Sequence, residues 1–196
     1  MKFIESKAEY DRLVAISENY LDRSRNLPDN IFCDDFSFFL FITFDEVRMD
    51  LFYEHVVEFS KNINEDEFFY VVLDPAPESY GIDSIIRYKA IYFSIGDSGE
   101  QFISVLNKYS GGVEPDCIMD NSDQILVSSN SQRWFVFADR DSDIGVCCFS
   151  DSDAFDTFKV QYGNDLLPNV AEAAEYAYGQ SGSTSLMKQL CSNFES

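Results

Sequence analysis

Basic residues are scarce in this chain. Lys and Arg total 14 against 35 Asp and Glu, a formal net charge of -21 over 196 residues. Nucleic acid and anionic membranes are held through clustered Lys and Arg, so direct binding to either is not expected. Histidine is scarcer still: His55 is the only one. That excludes zinc sites built from several histidines, and any Ser-His-Asp or Cys-His system has to run through His55. No nucleophile elbow lies near it, so a surface or boundary histidine is the expected reading. The cysteines (33, 117, 147, 148 and 191) are odd in number and form no C-x-x-C pair. This argues against a disulfide scaffold and for buried, reduced thiols. No stretch approaches the ~18 apolar residues of a membrane span, and Met1-Lys2-Phe3-Ile4-Glu5 does not open a signal peptide. The expected compartment is the cytoplasm. Phosphate-loop motifs are missing as well, and Gly96-Asp97-Ser98-Gly99 reads as a capped turn. No cofactor or metal is expected.

Apolar and aromatic residues are plentiful. Hydrophobic residues make up 45% of the chain and aromatics 16%, mostly Phe (19) and Tyr (11). Acidic disordered chains lack such aromatics, so the chain is expected to fold, and its length suits one domain. The negative charge is unevenly placed. Residues 26–86 hold 14 acids and two bases, Arg48 and Lys61, while residues 109–158 hold ten acids and two bases, Arg133 and Arg140.

Tyr10, Leu13, Val14, Ser17, Tyr20 and Leu21 recur at helical spacing and predict a helix over Glu5–Arg23, stopped by Asn26-Leu27-Pro28-Asp29-Asn30. Phe36–Phe44 is apolar except for Ser37 and Thr43, which suits a central strand covered on both faces. Asp45–Ile63 carries two signals. Phe52, Val56, Phe59 and Ile63 are spaced as a helix, whereas Val47, Met49, Leu51 and Tyr53 alternate as a strand; helix is the expectation.

Strands follow at Phe68–Leu73 and Ala90–Ile95. A helix is then expected with Ser98 as N-cap, a Phe102, Val105, Leu106, Tyr109 stripe and Gly111 as C-cap. Gln124–Ser128 reads as a strand. Arg133–Ala138 and Ile144–Phe149 flank the polar turn Asp139–Asp143 and predict an antiparallel hairpin. Cys147 and Cys148 then point to opposite faces of one strand. Short helices close the chain at Asp153–Gln161, Asn169–Tyr178 and Ser185–Phe194. The expected fold class is α+β: a single domain with a mixed or largely antiparallel sheet, flanking helices and a β-hairpin in the C-terminal half.

Two acidic clusters are the candidate sites. If residues 45–63 are helical, Glu46, Asp50, Glu54 and Glu58 form an i, i+4 ladder of like charges, each step costing roughly 0.2–0.5 kcal/mol. Val47 and Val57 would be exposed among them and offer apolar anchors for a partner. The second cluster is the turn carrying Asp139, Asp141 and Asp143. It places carboxylates at positions 1, 3 and 5 of a calcium loop, but Ile144 occupies position 6 and Ser150 position 12, so an exposed acidic tip is the expectation.

Two passages resemble small bacterial immunity proteins, the antidotes of polymorphic and contact-dependent toxin systems. One is Phe69-Tyr70-Val71-Val72-Leu73-Asp74-Pro75-Ala76-Pro77-Glu78-Ser79-Tyr80, with Tyr88 and Ala90-Ile91-Tyr92-Phe93. The other is Ser129–Phe149, where a strand opening on Arg133-Trp134 reaches the Asp-Arg-Asp turn and a second apolar strand. Together they span less than a third of the chain. The resemblance implies a cytoplasmic protein that is not an enzyme and that occludes the positive surface of a basic toxin domain, a nuclease. Two alternatives remain open. One is a DNA mimic that inhibits a nucleic-acid-binding protein. The other is a metal-dependent hydrolase using Asp139, Asp141 and Asp143.

Overall fold

The computed structural model describes residues 1–33, 36–76, 88–108 and 117–195. It contains one seven-stranded sheet: β1 (Lys2–Phe3), β2 (Phe38–Thr43), β3 (Glu67–Asp74), β4 (Ala90–Ser94), β5 (Gln124–Ser129), β6 (Trp134–Asp139) and β7 (Ile144–Phe149). The strand order is β1-β4-β3-β5-β6-β7-β2, and every neighbouring pair is antiparallel. Among the described residues six α-helices accompany it: α1 (Lys7–Glu18), α2 (Asp50–Asn62), α3 (Gly99–Leu106), α4 (Ser152–Tyr162), α5 (Val170–Tyr178) and α6 (Thr184–Phe194). This is the expected α+β class with its late hairpin. None of the described helices is long and apolar enough to cross a membrane.

The period-2 alternation of each strand divides the core between two faces. Phe68, Tyr70 and Val72 of β3, with Trp134, Val136 and Ala138 of β6, meet α2, α3 and α4. Phe69, Val71 and Leu73, with Phe135 and Phe137, meet α1, α5 and α6. Continuous apolar strands follow from this two-sided cover. Cys147 and Cys148 are both fully buried, one in each core, and burial pushes both thiols well above their ordinary pKa. Gly145 stands opposite Ile42, whose Cγ1 would lie 2.9 Å from any Cβ added there. Glycine is what lets β2 close on β7.

Helix starts follow the local signals. Ser98 accepts from Gln101 N (3.3 Å), and Gln101 Oε1 returns the bond to Ser98 N (2.8 Å). Asp151 caps α4 through Ala154 N (2.9 Å) while taking two bonds from Arg133 (3.0 and 3.1 Å), which hold its carboxyl below the ordinary range. Asn169 caps α5. Tyr109, Gly111 and Pro77 to Tyr80 of the resemblance passage lie outside the described residues.

Two expectations change. α1 ends at Glu18, five residues short of Arg23, because the chain beyond it pairs with residues 31–33: Cys33 N donates to Tyr20 O and Asp22 N to Ile31 O, both at 2.8 Å. β2 is an edge strand, not a central one. It reads as central because Leu40 and Ile42 enter one core and Phe41 the other. An open edge invites pairing with other chains, and here it is blunted. Leu167 N donates to Phe41 O (2.8 Å), and Thr43 N donates to Glu46 Oε2 (2.7 Å).

Candidate partner-binding edge

The sheet register brings the two acidic clusters together. Thr43 at the end of β2 pairs with Ile144 at the start of β7, and Phe44 N donates to Asp143 O at 3.0 Å. The hairpin tip therefore emerges beside the segment Asp45–Asp50. That segment opens as a 3-10 turn, Glu46–Arg48, and α2 begins only at Asp50. Asp50, Glu54 and Glu58 form the outward ladder of the helix, while Glu46 is not part of it.

Val47 and Val57, expected at the surface, are buried at 0% and 7% exposure. α2 packs against α3 on one side and α4 on the other, so its covered arc is wider than the stripe of one helix on one sheet. Val57 falls inside that arc, and Val47 is turned into the core by the 3-10 geometry. The large apolar residues that do face solvent among the described residues are Met49 (48%), Leu51 (47%), Val160 on α4 (83%) and, from α5, Tyr176 (44%); Met49 and Leu51 flank Asp50, and Tyr176 reaches Asp143. Met49 and Leu51 belong to the alternating pattern that competed with the helix signal. Tyr176 had no local signal.

Asp139 is also corrected. It is 5% exposed and serves the turn: its carboxylate accepts from Ser142 N (3.0 Å), Ser142 Oγ (2.8 Å) and Gln124 Nε2 (3.3 Å). Asp141 and Asp143 remain exposed. Among the described residues no three His, Cys, Asp or Glu side chains gather closely enough to hold a metal ion. Asp143 accepts from the Tyr176 hydroxyl at 3.2 Å. Burial is the main cause that raises the Tyr176 pKa, and the charges of Asp143, Asp45 and Glu46 add to it, so these carboxylates share one locality.

Glu46 leads on to the other half of the edge. Its pKa is raised mainly by burial and further by Asp165, which accepts the contact of His55 Nε2 at 3.2 Å. His55 is a boundary residue, 15% exposed, tilted against Tyr162 with centroids 4.4 Å apart. Asp50 and Glu54 lie against the start of α3, where the positive end of the helix dipole offsets part of the ladder's repulsion. A Cβ at Gly99 would come within 3.1 Å of Asp50 Cβ and 3.3 Å of Glu54 Oε1, which shows how closely α2 and α3 approach here.

The four bases of the acidic stretches relieve this edge only at Asp45 and Glu58. Arg48 is 14% exposed: it donates to Met119 O (2.6 Å), pairs with Asp45 and lies over the Phe44 ring at 4.8 Å. Arg140 covers the same ring at 5.0 Å, donates to Ser122 O (2.7 Å) and pairs with Asp123 (3.0 Å). Arg133 serves Asp151, and Lys61 pairs with Glu58 at 2.6 Å.

The raised pKa of Glu46 gives a signed prediction. A carboxyl whose folded pKa lies above its unfolded value weakens folding at neutral pH, and the penalty fades as pH falls below the unfolded pKa. Glu46→Gln keeps an acceptor for Thr43 N and removes the charge. It is expected to stabilise by about 0.3–0.5 kcal/mol at pH 7, solvent screening keeping the gain small. The gain should vanish below pH 4, as measured by urea unfolding at both pH values.

Comparison of the chain with protein-family models, with curated proteins and with solved structures returns no match. The two passages on which the expectation of an immunity protein rests supply most of β3 and β4 and all of β6 and β7, which are mostly interior.

Proposed function

We propose that the protein is an immunity-type inhibitor that binds a basic toxin domain, a nuclease, and covers the positive surface that otherwise holds nucleic-acid phosphates. The observation that carries this reading is the composition of the shared edge. Asp45, Asp50, Glu54, Asp143 and Asp165 lie on the edge that also exposes Met49, Leu51 and Tyr176, and the one arginine among them, Arg48, is taken up by Asp45 and Met119 O. Outward carboxylates steer a positive partner at long range, and exposed apolar and aromatic side chains supply the desolvated contacts that slow its release. The acidic edge offers nothing to nucleic acid itself.

The test is affinity capture from the native host, followed by a nuclease assay on the captured partner. A basic domain is expected whose cleavage of nucleic acid stops at a stoichiometric amount of this protein. Capture of a basic protein that binds nucleic acid without cutting it would replace the immunity reading with DNA mimicry. Partners that are neutral or acidic would overturn both.

A further inference from the structure

Between the 3-10 turn, the start of α2 and the end of α4 lies a cavity of about 210 Å³. Leu51, Phe52 and the Tyr162 ring give it apolar walls, and Glu46 and Asp165 bring carboxylates to it from separate elements. No Lys or Arg lines it. Tyr162 is 3% exposed, and its hydroxyl has no hydrogen-bond partner among the described residues. Burial is the main cause that raises its pKa, and the charges of Cys147, Glu46 and Asp165 add to it, so the hydroxyl sits near both carboxylates. A buried hydroxyl left unpaired costs about 1–3 kcal/mol, so its place at the wall of an acidic cavity points to a ligand that brings donors.

We infer that this cavity receives an arginine side chain of the partner. The inference rests on the reading of the partner as a basic protein. An arginine carries an apolar stem that fits Leu51 and Phe52, and a planar head that spreads five donors in fixed directions. Those directions serve acceptors on different sides of the cavity at once: the free oxygen of Glu46, the Asp165 carboxylate and the Tyr162 hydroxyl. Glu46 Oε2 is already engaged by Thr43 N. A lysine ammonium is a compact, more strongly hydrated charge, and it matches separated acceptors less well.

His55 borders the cavity and is the only histidine, so its ring protons give an isolated signal in NMR spectra. The experiment titrates the intact protein with acetyl-Gly-Arg-Gly-amide and with matched peptides carrying lysine or the neutral isostere citrulline. The arginine peptide is expected to shift the His55 signals saturably, with a millimolar dissociation constant. Lysine and citrulline peptides should bind at least about tenfold more weakly. Asp165→Asn should weaken arginine binding by a similar factor, and Tyr162→Phe should weaken it severalfold. Asp156→Asn, on the exposed side of α4, should leave it unchanged. Circular dichroism confirms that each variant is folded.

Failure of the arginine peptide to shift His55, citrulline or lysine binding as tightly, or indifference to Asp165→Asn would overturn the inference. If the peptide fails while a basic domain is still captured, the cavity is wrong and the partner reading survives. If the peptide binds and no basic partner exists, the reverse holds.

Discussion

Asp50→Lys combined with Asp143→Lys, one residue from each half of the edge, is expected to slow association with the basic partner by about one to two orders of magnitude at low salt. Dissociation should change far less, because exposed charges act mainly on the encounter. Wild-type association should itself fall steeply as salt rises, since the Debye length shrinks from about 30 Å at 0.01 M to about 3 Å at 1 M. The control is Asp11→Lys with Glu18→Lys on α1, which lies on the opposite face of the sheet and presents both carboxylates to solvent. Both variants change the net charge equally, so a difference between them reports the edge and not the overall field. Stopped-flow binding at several salt concentrations measures it. Equal slowing by the two variants would mean that only net charge matters, and the edge would lose its role.

Asp139→Ala is expected to cost about 2–3 kcal/mol of stability, because it removes an ionised acceptor and strands the buried amide and hydroxyl of Ser142. Asp141→Ala, two residues along the same turn and exposed, should stay within about 0.5 kcal/mol. Urea unfolding of the two single variants makes the comparison directly. Asp139→Asn, which retains one acceptor oxygen, should fall between them. Similar midpoints for Asp139→Ala and Asp141→Ala would show that the tip is held by its backbone alone. The pair also separates two kinds of carboxylate that look alike in sequence: Asp139 builds the tip, and Asp141 and Asp143 present its charge.

Much of the fold was legible because its signals are local. The β6–β7 hairpin follows from two apolar runs around a polar turn, and the start of α3 from Ser98 and Gln101. The fate of the adjacent thiols at 147 and 148 follows from strand alternation. The candidate site was legible only in part. Asp50, Glu54, Glu58, Asp141 and Asp143 face solvent as expected, whereas Asp139 turns inward and Glu46 is half-buried against the Thr43 amide. Val47 and Val57 were misjudged because a helical wheel assumes one covering surface, and α2 is flanked by two helices. Met49 and Leu51 reach the surface as members of the alternating pattern that the helix overrode, whereas Tyr176 carried no local signal.

The amino-acid sequence by itself determined the charge, the alternation of the strands, the caps and turns, and hence an acidic α+β protein with its hairpin. Each of these depends on residues within about one turn or one strand of each other. Tertiary structure decided the rest. It placed β2 at the sheet edge, joined Thr43 to Ile144 and His55 to Asp165, and so merged two acidic clusters into one surface. It also chose which carboxylates point inward. Exposure depends on what other elements cover a residue, and those elements, such as α3 and α4 on α2, lie far along the chain, beyond the reach of any local periodicity.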